Sequence, residues 1–470
     1  MRACNPTRNH GQIVVMTALM LIILIGSVGL ALDSGLGYIV RAKLNSAVDA
    51  AGIAAARAVV QGNNQVEHEA SARHAATDFF NANYPNGYFG STPTLDNLTI
   101  AFDQGKVTID VSASAVVPVT FMRVLDFNLL TVRSEAQVVR KDLDMAFVMD
   151  TTDSMVAVAP QVKAAAVSFL QHFSATTDRV ALIHFAHGAV VDVPFKADQS
   201  RGFDQATMTA RINAFNFSGF TNFSEGFWNA RDQLNNHISL ANRSSLRVVV
   251  FFSDGSPNTF ASYFRFKAAP AGCAYDGSTA GQYFVTGALQ TAAASSGSPD
   301  GLWYYDRQTQ ALPGGCYRGT SIVACTAATN CLTTTALPAW YNPHDRLGEQ
   351  EFPVVTNTPR VVTNSTASTA VAYANVNRAS RNLPEAMAKK SRQEGVYVYT
   401  LGLGTHVQDP TGPDNESGES LLKCMANTPD SLPRCYTPSE PVGTYCWAAT
   451  EDGLKPCFAK LASEILRLTR

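Results

Sequence analysis

Three separated clusters of small, oxygen-bearing side chains carry the chemistry that this chain can do. The first is Asp150-Thr-Thr-Asp-Ser154, directly after the apolar run Met145-Ala-Phe-Val-Met149. A strand that delivers Asp150, then hydroxyls at Thr152 and Ser154, aims three oxygen donors at one point. The second is Thr221, in Gly219-Phe-Thr-Asn222 just ahead of a helical pattern. The third is Asp254, which ends the run Arg247-Val-Val-Val-Phe-Phe-Ser-Asp254 and is followed by Gly255. Hard divalent cations such as Mg²⁺ take such a set: several oxygens at short, near-octahedral distances, with positions left to water or a partner. Asp, Ser and Thr after a strand also form turns, because their side chains bond nearby backbone amides. The metal reading gains on the turn reading because every cluster falls at a strand end or a helix start.

The elements that must position these residues follow from hydrophobic periodicity. Strands are expected at 145–150, 179–185, 190–194, 246–253 and 395–402, and helices at 159–173, 221–234, 382–394 and 456–468. Strands alternating with helices imply a parallel sheet covered on both faces. In such sheets ligands gather at the carboxyl ends of the strands, where Asp150 and Asp254 fall. Between about 256 and 376 the regular pattern stops. That stretch is rich in Gly, Ser, Thr, Pro and Tyr and holds four cysteines, and a loop of this length is functional or disordered. Its cysteines and the aromatics Trp303, Tyr304, Tyr305 and Trp340 favour a folded, stapled insertion that shapes access to the metal.

The order Asp150-x-Thr152-x-Ser154, then Thr221, then Asp254-Gly255 resembles the metal-ion-dependent adhesion site of von Willebrand factor A domains. The pattern there is Asp-x-Ser/Thr-x-Ser, then Thr, then Asp-Gly. The resemblance implies an α/β, Rossmann-like parallel sheet with helices on both faces, a bound Mg²⁺ (or Mn²⁺ or Ca²⁺), and metal-dependent adhesion to another protein. It implies Asp150, Ser154 and Thr221 as the closest ligands, with Thr152 and Asp254 direct or water-mediated. Three neutral hydroxyls among five ligands leave the cation electron-poor and receptive to a partner's carboxylate. One position departs from the pattern: Asp153 stands where the family usually has Gly, and its carboxylate either adds charge to the site or points to solvent.

Location is read from the N-terminus. Residues 13–32 carry no charge, and 20 residues at ~1.5 Å rise cover a ~30 Å hydrocarbon core. Arg2, Arg8 and the terminal amine precede this run, which favours a cytoplasmic N-terminus, and Arg41 and Lys43 follow it. The run exceeds the ~7–15 residue core of a signal peptide and stays helical and Ala-rich beyond it, so an uncleaved anchor is expected. Ser27, Ala31 and Gly35 recur every fourth residue, as in an Ala/Gly-rich helix that another membrane helix can approach. Eight cysteines follow the anchor (Cys273, Cys316, Cys325, Cys331, Cys424, Cys435, Cys446, Cys457), an even set that reads as disulfides, with 105 possible pairings. Without a Cys-x-x-Cys, a structural zinc site is the weaker alternative. The even spacing of the last four is taken as chance. A net charge of −2 and no Lys/Arg-dense block argue against nucleic acid.

A second resemblance lies in Gly11-Gln12, the apolar run, Leu30-Ala-Leu-Asp33, Tyr38, Arg41-Ala-Lys-Leu-Asn45 and Asp49-Ala-Ala. These look like the N-terminus of TadE/TadG-like proteins of the tight-adherence (Flp pilus) system, and an anchor of this kind with a C-terminal von Willebrand A domain marks the TadG-like branch. Pseudopilin processing at Gly11 would expect Glu at the position that Met16 holds, so it is not expected here. The organisation is then a cytoplasmic segment at 1–12, a transmembrane helix at 13–32, a helical stalk with a small α+β module at 33–140, and the A domain at 141–470, interrupted at about 256–376. In the module, a helix is expected near 67–83, a hairpin at 97–111 around Asp103-Gln-Gly105, and a strand at 131–140.

Enzyme motifs are poor. His68-Glu69 has Ala72 where a zincin needs its second His, and Gly402-Leu-Gly404 has Val407 where a dinucleotide fingerprint needs glycine. No nucleophile elbow or phosphate-binding loop is present, and His184 reads as a core histidine. The expectation is a non-enzymatic, single-pass inner-membrane protein of bacteria with its C-terminal domain in the periplasm. There it grips a carboxylate-bearing partner of the pilus or secretion machinery. The alternatives are a surface adhesin not tied to a pilus, or a metal-free structural tether.

Overall fold

The computed structural model describes residues 10–59, 65–103, 106–240, 242–266, 272–279, 281–291, 300–312, 337–345 and 350–468. The chain divides into two compact units, Met1–Arg140 and Lys141–Thr469.

The first unit is built on α1 (His10–Ala58), 49 residues in one helix. By length and composition α1 can cross a membrane. Ile13 to Ile25 stand exposed, whereas Val40, Leu44, Ala47, Val48, Ala51 and Ala55 are buried. The i, i+3, i+4 spacing of this second set gives one apolar stripe. The stripe packs on α2 (Gln65–Asn83) through Ala72, Ala76 and Phe80, and on a three-stranded sheet. In that sheet β1 (Thr92–Asp103) pairs antiparallel with β2 (Lys106–Pro118), and β3 (Leu129–Lys141) lies on the far side of β2. In β2, Val107, Ile109, Val111, Ala113, Ala115 and Val117 are buried, the period-two pattern of a strand with one face on a core. The tip of the expected hairpin, residues 104–105, lies outside the described residues. Asp33, next to the apolar run, is buried and accepts the backbone N–H groups of Thr120, Phe121 and Met122 at 3.2, 3.0 and 2.7 Å. Those groups open a 3₁₀ turn at Met122–Leu125, so Asp33 satisfies donors that the turn leaves without partners. Gly37 admits the same sheet closely: a Cβ there would lie 2.4 Å from the Leu130 side chain.

The second unit holds a six-stranded sheet, β4 (Leu143–Asp150), β5 (Arg179–Phe185), β6 (Ala189–Val193), β7 (Leu246–Ser253), β12 (Val396–Leu403) and β13 (Tyr445–Ala448), in the order β13-β12-β7-β4-β5-β6. Every residue of β4 and β5 is buried, as expected of strands covered on both faces. One face packs α3 (Ala159–Leu170), α4 (Gln205–Ala214) and α8 (Leu454–Leu468), with Phe147, Phe169 and Phe458 in mutual contact. The other packs α5 (Phe223–Asn236), α6 (Thr369–Gln393) and α7 (Gly418–Ala426).

Three expectations need correction. The sheet is mixed, because β6 runs antiparallel to β5. Only Ala186-His187-Gly188 joins the two, and a parallel return needs a crossover of a dozen or more residues. The stretch after 256 is regular in part: β8 (Thr259–Phe266), β9 (Gly277–Thr279), β10 (Gln282–Gln290) and β11 (Asp300–Trp303) form an antiparallel sheet, and α6 starts at Thr369, ahead of the expected 382. Pro384, a residue suited to a first turn, sits inside that helix. The even cysteine spacing, taken as chance, has a structural counterpart in two of its three intervals. Cys424 bonds Cys435 and Cys446 bonds Cys457, each closing a separation of 11 residues. Cys273 is disulfide-bonded as well, while Cys316, Cys325 and Cys331 lie outside the described residues.

Candidate metal centre

Strand β4 ends between β5 and β7, so Asp150 emerges at the carboxyl edge of the sheet. It is fully buried. One carboxylate oxygen accepts the Thr152 N–H at 3.0 Å and the other accepts the Ser253 hydroxyl at 2.5 Å. Ser154 donates its hydroxyl to Asp254 at 2.8 Å, and the Thr152 and Ser154 hydroxyls lie 3.1 Å apart. Four of the five expected residues therefore form one hydrogen-bonded chain across the ends of β4 and β7. Thr221, the fifth, opens with Thr152 and Ser154 on a common cleft of about 160 Å³.

The loop before α5 holds Thr221 by its backbone. Its N–H donates to Asn258 Oδ1 at 2.9 Å, and its carbonyl accepts the N–H groups of Asn258 and Thr259. Asn222 caps α5, its side-chain oxygen accepting the N–H of Glu225, so the helix starts two residues after the expected 221. Asp153 is exposed and lines the same cleft, and it has a further role that was not expected. Its carboxylate accepts the Gly219 N–H at 2.8 Å while its own N–H donates to the Gly219 carbonyl, pinning the loop that carries Thr221. Gly219 sits at φ +98°, and a Cβ there would lie 2.5 Å from His187 Nδ1, so no other residue fits.

The donors are oxygens only, two carboxylates and three hydroxyls, the set that hard cations take. Burial, then the nearby charge of Asp254, pushes the Asp150 carboxyl up to about 8. Burial also raises Asp254, against the lowering bond from Ser154. Two desolvated carboxylates side by side disfavour each other's ionisation, and a divalent cation removes that conflict. The residues fit such an ion.

Sequence reasoning missed the supports. Gln308, in the insertion, donates to the Thr151 hydroxyl at 3.0 Å and to the Asn216 carbonyl at 2.6 Å, bracing the first loop from outside the sheet. His406 and Thr411, after β12, line the cleft with Ser256 and Asn258. No local pattern marks these residues, because the sequence separations are long. His184 is a core residue, 8% exposed, with Nδ1 2.6 Å from Asp192 of β6.

Residues 145–256 match the von Willebrand factor type A domain family, and residues 11–58 match the family described as Flp pilus-assembly TadE/G-like. The chain thus joins a Tad-like N-terminal segment to a von Willebrand A domain. No curated protein matches it. Among solved structures, it is similar to the vWF domain of the type V pili tip protein Mfa5 from Porphyromonas gingivalis (14% identity, TM-score 0.38, covering 71% of this chain and 98% of that one). It is also similar to the pilus adhesin SpaC from Lactobacillus rhamnosus GG (14% identity, TM-score 0.36, 81% and 34%) and to the PilB minor pilin from Streptococcus sanguinis (13% identity, TM-score 0.35, 81% and 80%).

Proposed function

We propose that this protein is a membrane-anchored, periplasm-facing component of Flp-type pilus-assembly or secretion machinery. Its A domain holds Mg²⁺, or Mn²⁺ or Ca²⁺, on Asp150, Thr152, Ser154, Thr221 and Asp254 and grips an acidic residue of a protein partner. The observation that carries this reading is the pair of buried carboxylates, Asp150 and Asp254, bonded into a row of hydroxyls on an open cleft. The cation would supply a Lewis-acidic position for a carboxylate oxygen. The chain's own part is to hold the oxygens rigid: Ser253 orients Asp150, Asp153 pins the Thr221 loop, and Gln308 braces Thr151. The role is binding rather than catalysis, since a hydrolase would need a base positioned on an attacking water.

The test is a calorimetric titration of the full chain in detergent with Mg²⁺ and Mn²⁺, beside Asp150→Ala. Saturable one-site binding, lost in the variant, is the expected result. Absence of binding in the intact protein would favour a metal-free tether.

A further inference from the structure

We propose that Ser256 and Thr411, backed by the buried guanidinium of Arg381, receive the second oxygen of the partner's carboxylate, so that the cleft selects an ionised acidic side chain over its amide. The inference rests on the cation reading above and assigns the residues that read the partner's charge.

Ser256 supplies the first observation. It is 7% exposed, it lines the same cleft as Thr152, Ser154 and Thr221, and its hydroxyl has no hydrogen-bond partner among the described residues. The neighbouring hydroxyls of Ser154 and Ser253 are committed to Asp254 and Asp150. A buried hydroxyl without a partner is costly, and on a residue that lines a cleft that cost falls when a ligand there accepts its proton.

Arg381 supplies the second, independently. Its side chain is 1% exposed, and its three acceptors are all neutral: Asn377 Oδ1 at 3.0 Å, the Glu416 backbone carbonyl at 2.6 Å and the Thr411 hydroxyl at 2.7 Å. The carboxylates around it are taken. Glu385 and Glu416 pair with Arg360 and Arg434, and Asp414 pairs with Arg378. In this described network four guanidiniums (Arg360, Arg378, Arg381, Arg434) meet three carboxylates, which leaves one buried positive charge over. Burial, then the charge of Arg360, draws the Arg381 pKa down to about 10, as expected of a cation short of a counterion.

Thr411 connects this charge to the cleft it lines. A guanidinium only donates, so the Thr411 oxygen is the acceptor in their bond and its own proton is left to point elsewhere. The wall therefore offers two hydroxyl protons, one of them polarised by a buried cation. A carboxylate accepts on both oxygens; an amide would place its NH₂ donor against this wall.

The probe is acetate, with acetamide as its neutral counterpart, added to the full chain loaded with Mn²⁺ in detergent. Water-proton relaxation reports displacement of metal-bound water. Acetate should lower the enhancement at a concentration about tenfold below acetamide, and Ser256→Ala and Thr411→Val should each raise the acetate half-point by about tenfold, the weight of a hydrogen bond to a charged group. Mn²⁺ affinity should stay within about twofold in both variants, since neither residue is one of the five oxygen donors. Arg381→Lys, which keeps the charge, should fall between wild type and Thr411→Val. Equal half-points for acetate and acetamide, or an acetate half-point unmoved in both variants while Mn²⁺ binds, would overturn the inference alone. No Mn²⁺ binding by the intact protein would overturn the cation reading beneath it.

Discussion

Cation binding should depend steeply on pH, because the metal must displace a proton from Asp150. In the fold without metal that carboxyl is raised to about 8, by burial first and by Asp254 second. The fold binds this proton more tightly than the unfolded chain does, so the group's contribution to stability falls as pH rises from about 4 to about 8. A bound cation offsets that loss most at the upper end. For simple competition the apparent dissociation constant rises by a factor of 1 + 10^(pKa − pH). That is about twofold at pH 8, about elevenfold at pH 7 and about 100-fold at pH 6, hence a weakening of roughly 50-fold from pH 8 to pH 6. At pH 7 binding should release about 0.9 proton. The assay is titration calorimetry with Mg²⁺ at the three pH values, repeated in buffers of different ionisation enthalpy so that released protons appear as a buffer-dependent heat. An affinity flat within twofold from pH 6 to pH 8, with no buffer dependence, would refute the coupling of burial, Asp254 and metal.

Asp153→Ala should weaken Mg²⁺ binding by about five- to tenfold by releasing the Gly219 loop, at a stability cost of about 1 kcal/mol; Asp153→Asn, which keeps the acceptor, should recover most of it, both read by calorimetry. Asp144, 1% exposed, accepts from Arg179, Arg201 and Ser244 at the far end of β4, so Asp144→Ala strands a buried guanidinium. The expected loss is about 3–5 kcal/mol in a denaturant melt, with Mg²⁺ affinity unchanged, since Asp150 lies about 20 Å away along the strand. The double change Cys446→Ala and Cys457→Ala opens a closed separation of 11 residues, which should cost about 3 kcal/mol. Amide exchange should rise first in β13, a four-residue edge strand.

The positions of the five residues expected at the candidate site were legible because each sits on or beside an element with a strong local signal: a wholly buried strand before Asp150, a strand buried but for Arg247 before Asp254, a capped helix after Thr221. What surrounds them was not. Gln308 reaches Thr151 across 157 residues and Arg381 reaches Thr411 across 30, and no periodicity encodes such pairings. The β8–β11 sheet escaped because its strands lie in Gly- and Ser-rich sequence, and the first half of β8, Thr259 to Ser262, is buried on both faces and so lacks alternation. Asp153 showed as a departure from a pattern, but whether its carboxylate faced ion, solvent or backbone depended on where Gly219 came to rest. The cysteine spacing was visible, yet without knowing that α7 turns back on its own C-terminal loop it carried no meaning.

The first unit has a mechanical character that follows from α1. One unbroken helix runs from the exposed apolar segment into the packed core, and Asp33 fastens the segment after β2 to the first turn beyond the apolar run. No break separates the apolar run from the packed stripe. The 26 residues from Asp33 to Ala58 rise about 39 Å, so a tilt of about 10° in the embedded part swings the top of the helix by about 7 Å. Rotation about the helix axis must likewise carry the sheet with it. Set in a bilayer, such a helix would act as a lever arm rather than a leash: a lateral push on its apolar segment by another membrane helix, or a change in bilayer thickness, would be delivered as torque to the folded module.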